Sequence, residues 1–292
     1  MHNAIRAAEQ APAMKQERKD IWIFALAVLA TTTLIAASFP LFHITNNWAG
    51  NALMFIPGLA AAVLLLKRRQ GFKSVGWGLG GWGSGGAIYW LLAILLPMAM
   101  IAISLPISIR LGWAAIAPAS TAAGRVAGDP LKILKNVLLY TAISLPLAFG
   151  EEFGWRGYAQ RKMVRQFGLV KGLLLLGLLW GFWHTPIYYF MGTSPEHPLL
   201  GPFVMTPIDN LLAAVPMAWF YIRSRNIWVP TFLHAFADVV WGFSDLLYPK
   251  SHELQSWALL QALQLILTIF FLWNLRSRPE GVERSGQPAF AS

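Results

Sequence analysis

Residues 138–160 read LLYTAISLPLAFGEEFGWRGYAQ, an apolar run that ends on two adjacent glutamates, Glu151 and Glu152, with Arg156 one turn on. The run is long enough to cross a hydrocarbon core of about 30 Å, which takes roughly 20 helical residues. Its acids fall where ionised carboxylates are hardest to keep. Seven further apolar stretches accompany it, and the predicted spans are 21–38, 51–66, 87–109, 135–158, 171–191, 207–222, 227–247 and 256–274. The whole chain of 292 residues is 56% hydrophobic and 12% charged, with 14 Trp and 18 Phe. A soluble domain would carry about twice that charged fraction. No ten-residue alternating segments indicate a transmembrane β-barrel. The expected fold class is therefore all-α, a polytopic transmembrane helical bundle of about eight spans.

The charges give the orientation. Eighteen of the 23 basic residues, among them Arg18, Lys19, Arg68, Arg69, Arg161, Lys162, Arg165, Arg223 and Arg276, fall on one side of this plan. The other side holds only Arg110, Arg125, Lys132, Lys135 and Lys250. By the positive-inside rule both termini are expected in the cytoplasm. The net charge of +10 is then topological, and nucleic acid is not an expected partner; the lipid bilayer is. Residues 1–20 read as a polar cytoplasmic tail without a cleavable signal. A single transmembrane domain over 21–274 follows, with a catalytic core at 135–247, and 275–292 reads as a disordered cytoplasmic tail. Cysteine is absent, which removes disulfides, thiolate ligands and cysteine nucleophiles. Gly78, Gly80 and Gly83 satisfy GxGxxG, but no strand precedes them, and an interfacial loop anchored by Trp77 and Trp82 is the better account.

Three spans carry polar groups to one depth. Neighbouring helical residues point about 100° apart, so Glu151 and Glu152 face different directions, with Arg156 in reach of either. His184 lies in span 5 with Trp180 on the same face, and Pro186 follows as a potential kink. His234 and Asp238 share one face of span 7 at i and i+4. Each cluster alone has a bland reading: an interfacial Glu–Arg pair, a packed histidine, an intrahelical His–Asp bond. From the span centres, however, Glu151, His184 and His234 all fall within about 7 Å of the midplane, and Asp238 within about 2 Å. That agreement favours one site. His2, His43, His197 and His252 lie in tails or outer loops, show no partner, and stay outside it.

A Glu–His set in a dry cavity can activate water, and a His–Asp set can donate to the oxyanion that follows. Alternatively Glu and His can hold zinc with an open water position. Both routes hydrolyse a peptide bond. The letters exclude three other intramembrane hydrolases. Trp82 breaks the GxSG of a rhomboid before Ser84, "HELQS" ends in Ser256 where HExxH needs histidine, and Val126 breaks GxGD before Gly128–Asp129.

The motifs EExxxR (Glu151, Glu152, Arg156), FxxxH (here "WGFWH", ending in His184) and HxxxN/D (His234 to Asp238) resemble those of the CAAX-protease and bacteriocin-processing, or Abi, family of intramembrane proteases. The resemblance covers about residues 135–247, and Trp180 stands where the family has phenylalanine. It implies an intramembrane endopeptidase. Glu151 would polarise water together with His184, His234 and Asp238 would be the oxyanion partners, and Glu152 and Arg156 would support the site or the substrate's C-terminal end. The implied partner is a peptide or protein substrate at the membrane, and the implied location is the plasma membrane of a prokaryote. The implied cofactor is zinc, held by Glu151, His184 and His234, or none. Two other classes are open on sequence grounds: a non-catalytic scaffold or bacteriocin-immunity protein of the same family, and a proton-coupled transporter.

Overall fold

The structure is a computed structural model and describes residues 2–77, 86–194 and 196–277. The described residues are almost wholly helical: α1 (His2–Leu41), α2 (Asn47–Ala52), α3 (Phe55–Lys67), α4 (Ala87–Arg110), α5 (Ala122–Ala127), α6 (Pro130–Glu152), α7 (Arg161–Phe167), α8 (Leu169–Met191), α9 (Thr206–Ser224), α10 (Trp228–Leu247) and α11 (Glu253–Ser277). π-Helical segments join α6 to α7 at Phe153–Gln160 and lead into α9 at Gly201–Met205. The polar N-terminal segment is thus helical and continuous with the first apolar run. The GxGxxG glycines lie outside the described residues.

Every predicted span coincides with helix, and seven helical runs are long and apolar enough to cross a membrane. All seven are longer than the sequence suggested: α2 and α3 together cover Trp48–Lys67, and the largest extension is α6, which runs through its π segment to Phe167. The segment at 227–247 forms the 20-residue α10 but is not among the seven. His234, Asp238 and Asp245 lower its apolar character. This is an integral multi-pass membrane protein, and the lipid-facing sides of its helices expose residues such as Leu26, Leu59, Leu138 and Ile266.

Ion pairs tie the basic ends of the helices together. Asp20 of α1 is 1% exposed and sits 2.8 Å from Arg68 and 3.9 Å from Lys162. Arg165 pairs with Glu17 at 2.9 Å. Nearby, Tyr221 of α9 donates to the Val75 carbonyl, and Arg223 donates to the Asn274 carbonyl of α11. The basic clusters of the sequence plan therefore share one end of the bundle. At the opposite end, Ala117 N–H donates to the Leu247 carbonyl and Ser251 N–H to that of Trp113. There Asp129 caps α6, its Oδ1 accepting from the amides of Leu131 and Lys132 at 3.1 Å. Those backbone bonds and the Lys132 ammonium hold its carboxyl below the ordinary aspartate range.

The helix that carries the glutamates is held by backbone contact. A Cβ placed on Gly150 would meet the Met54 carbonyl oxygen at 2.8 Å, and one on Gly58 would meet the Gly150 oxygen at 2.5 Å. Small residues let α3 and α6 cross this closely, which seals one side of Glu151 and Glu152. Beyond them all eight residues of Phe153–Gln160 are buried. Trp155 packs edge-on against Phe24 of α1 and Trp183 of α8. Wrapped on every side, this segment has no lipid face, and its widened turn sits beside the acidic pair. π-Bulges concentrate at functional sites.

Candidate active site

Glu151 and Glu152 are fully buried and, as their 100° separation requires, turn to different helices. Glu151 faces α8. Its Oε2 accepts a 2.7 Å hydrogen bond from Trp180 Nε1. Its Oε1 has no hydrogen-bond partner and lies 3.9 Å from His184 Nε2. The other ring nitrogen of His184 is 3.1 Å from the Trp180 carbonyl, which can only accept, so Nδ1 carries the proton. In the neutral ring Nε2 is then an acceptor aimed at the same space as the free carboxylate oxygen.

Glu152 faces α10. Its Oε1 accepts from Arg156 Nη1 at 2.9 Å and from His234 Nδ1 at 2.8 Å. Asp238 Oδ2 lies 3.4 Å from the opposite nitrogen of His234, so the imidazole is held between two carboxylates. The Arg156 guanidinium is completely buried and rests 4.1 Å over the Trp180 ring. An aromatic face offsets part of the cost of burying that cation. The same indole meets His234 edge-on at 5.5 Å between ring centroids. All six residues singled out in the sequence therefore meet in one place, and Trp180 touches Glu151, Arg156, His184 and His234.

Glu151, His184, His234 and Asp238 line a cavity of 1050 Å³. Its wall continues through Ser104, Ser194 and Lys250 to the end of the bundle opposite the basic clusters. The carboxylates and histidines thus stand at the deep end of a membrane-embedded cavity.

A catalytic zinc takes three protein ligands and keeps one open position. If zinc is bound, the set named from the sequence is Glu151, His184 and His234. His234 Nδ1 is bound to Glu152 and its Nε2 faces Asp238 at 3.4 Å, so within that set only Glu151 Oε1 and His184 Nε2 approach one another, at 3.9 Å. Among the described residues, the triple that brings three ligand atoms within 4.8 Å of one another is elsewhere, at Glu196, His197 and Glu253. The arrangement does not fit a zinc site.

Two features escaped the sequence reading. Trp180 was recognised as an aromatic neighbour of His184, but its indole N–H bond to Glu151 was not; a buried tryptophan needing an acceptor was the available signal. The Glu152–His234 bond joins residues 82 positions apart, and no local spacing announces it.

Fold and site define an integral membrane protein of all-α class with an embedded carboxylate–histidine centre. Residues 133–240, which hold every residue of that centre, match the family model described as type II CAAX prenyl endopeptidase Rce1-like. The resemblance carried by the three motifs is borne out over that segment. The CAAX prenyl protease 2 of Methanococcus maripaludis is 29% identical over 80 residues, which is 26% of this chain. The match spans 29% of that relative's length.

Proposed function

We propose that the protein is an intramembrane endopeptidase that hydrolyses a peptide bond with glutamate-activated water. One observation carries the reading: the unpartnered Oε1 of buried Glu151 stands 3.9 Å from the free nitrogen of His184. Two acceptors at that separation suit a water about 2.8 Å from each, donating one proton to either side. The water's lone pairs then point into the cavity, where a substrate carbonyl would lie. Glu151 takes a proton as the oxygen attacks, and the carbonyl oxygen gains the negative charge. His234 donates to that oxyanion from the nitrogen facing Asp238, while Glu152 holds the ring through the other nitrogen. Protonated Glu151 then delivers its proton to the leaving amine as the C–N bond breaks.

Arg156 pairs with Glu152 and fixes its carboxylate against His234. The substrate is a peptide or protein reaching the membrane, and prenylated CAAX proteins are one candidate class. In this reading α10 crosses as an eighth span, both termini are cytoplasmic, and the membrane is the plasma membrane of a prokaryote. The test is cleavage of a fluorogenic peptide library by purified protein, with Glu151→Gln and His234→Ala beside the wild type. Equal turnover by all three, or none by the wild type against any member, rejects the reading.

A further inference from the structure

Asp209 is a membrane-depth carboxylate with no part in the chemistry above. It lies in the first turn of α9, and the packing of α8 on α9 sets its level. A Cβ on Gly181 would meet Pro207 Cα at 2.5 Å, and one on Gly177 would meet Leu211 Cα at 2.8 Å. In this antiparallel pair Asp209 therefore stands level with the stretch between Gly177 and Gly181. That is within about a turn and a half of His184 along the helix axis. It lines the same cavity as Glu151 and His184.

No cation contacts it directly. Oδ1 accepts a 2.7 Å bond from Trp257 Nε1 of α11, a neutral donor. Among the described residues no Lys, Arg or His nitrogen lies within 4.0 Å of its carboxylate. The one lysine or arginine in the described cavity wall is Lys250, which is taken by Asp245 at 2.6 Å. A second group beside Trp257 is also unmatched: Ser256 is 2% exposed, lines the cavity, and its Oγ has no partner. Lys250 acts on Asp209 only from beyond 4.0 Å, and a carboxylate at this depth with no charged contact is a candidate for function.

We propose that Asp209, with Ser256 beside its Trp257 partner, forms a subsite for a cationic group of the substrate, a Lys or Arg side chain or a free α-amino group, next to the scissile bond. The inference rests on the peptidase reading for its substrate, but recognition can be measured without cleavage. A cation entering this cavity loses its water, and a charged hydrogen-bonding partner is what makes that entry favourable.

The experiment uses the full chain carrying Glu151→Gln in nanodiscs, and anisotropy of labelled peptides that differ only by Arg or its neutral isostere citrulline. The Arg peptide binds about tenfold tighter, the worth of one charged hydrogen bond. Asp209→Asn abolishes that ratio and Asp209→Glu retains most of it. A purely structural Asp209–Trp257 staple would weaken both peptides equally. Free and acetylated N-termini on the citrulline peptide separate the α-amino source from the side-chain source. Equal binding of all peptides, or a preference that survives Asp209→Asn, overturns the subsite. Cleavage of the same peptides by the unmutated protein reports separately on the peptidase reading.

Discussion

The indole N–H of Trp180 donates to Glu151 Oε2 at 2.7 Å, and this bond leaves Oε1 as the one free oxygen on the carboxylate. The Trp180 carbonyl simultaneously fixes the proton of His184 on Nδ1. One residue thereby aims both groups that would hold the water. Trp180→Phe, the residue of the family pattern, keeps the ring under Arg156 but removes the donor. Turnover is expected to fall about 10–100-fold, the usual cost of losing a group that orients a functional ligand. KM should move little, because the indole nitrogen meets Glu151 and not the substrate. Steady-state kinetics with the fluorogenic peptide decide it, and an unchanged kcat removes the positioning role.

Much of this centre was legible because burial in a membrane is so costly to charge. Glu151, His184 and His234 stood out as ionisable groups in apolar runs, and span centres alone put them at one depth. The angular offset of Glu151 and Glu152 also anticipated their different neighbours. What the letters did not hold was long-range partnership. Glu152 could be paired with Arg156 by spacing, but its bond to His234 exists only once α6 packs on α10. The π turn after Glu152 has no signature in a hydropathy profile. Asp209 was passed over because it lies near the start of its span, where an acid reads as an interfacial residue; the α8–α9 register moves it to the level of His184. For α10 the count of spans rested on length, and Asp238 and Asp245 make that helix the least lipid-like of the set.

Arg156 and Glu152 form an ion pair with both side chains at 0% exposure. Removing one member of a buried pair strands the other charge, at a cost of about 3–5 kcal/mol. Arg156→Met should therefore unfold at markedly lower temperature, with His234 moderating the loss through its own bond to Glu152. Adding Glu152→Gln should recover much of the deficit, since the stranded charge is gone. Thermal unfolding of the two single variants and the double variant in one detergent measures the coupling. Additive losses would mean that the pair contributes no shared energy.

Asp129 supplies a pH dependence at the start of α6. Its carboxyl is held low by the amides it caps and by Lys132, so the folded state binds that proton less readily than the unfolded state. The cap's contribution is present above the ordinary aspartate value and is lost as pH falls through the lowered one. Amide exchange of the first turn, Leu131–Ile133, corrected for intrinsic rates, should lose protection in acid. Asp129→Asn keeps a capping side chain and should flatten that dependence. Protection that stays acid-sensitive in the Asn variant would assign the effect to another group.

The spacing of the ligand atoms in this centre bears on metal. Among the described residues the centre brings no three Glu, Asp or His ligand atoms within 4.8 Å of one another, and Glu151 and His184, 3.9 Å apart, are two where a catalytic zinc takes three. Peptide cleavage should therefore persist after exhaustive treatment with a strong chelator, and purified active protein should hold well below one zinc per chain by elemental analysis. Glu151→Gln should abolish cleavage under the same conditions, because a neutral amide cannot take the proton from water. If chelation abolishes activity and zinc restores it, three ligand atoms of the centre must draw closer together in the working enzyme than they stand here. Glu152→Gln would then tighten zinc binding by freeing His234 Nδ1, whereas with glutamate-activated water it only lowers turnover.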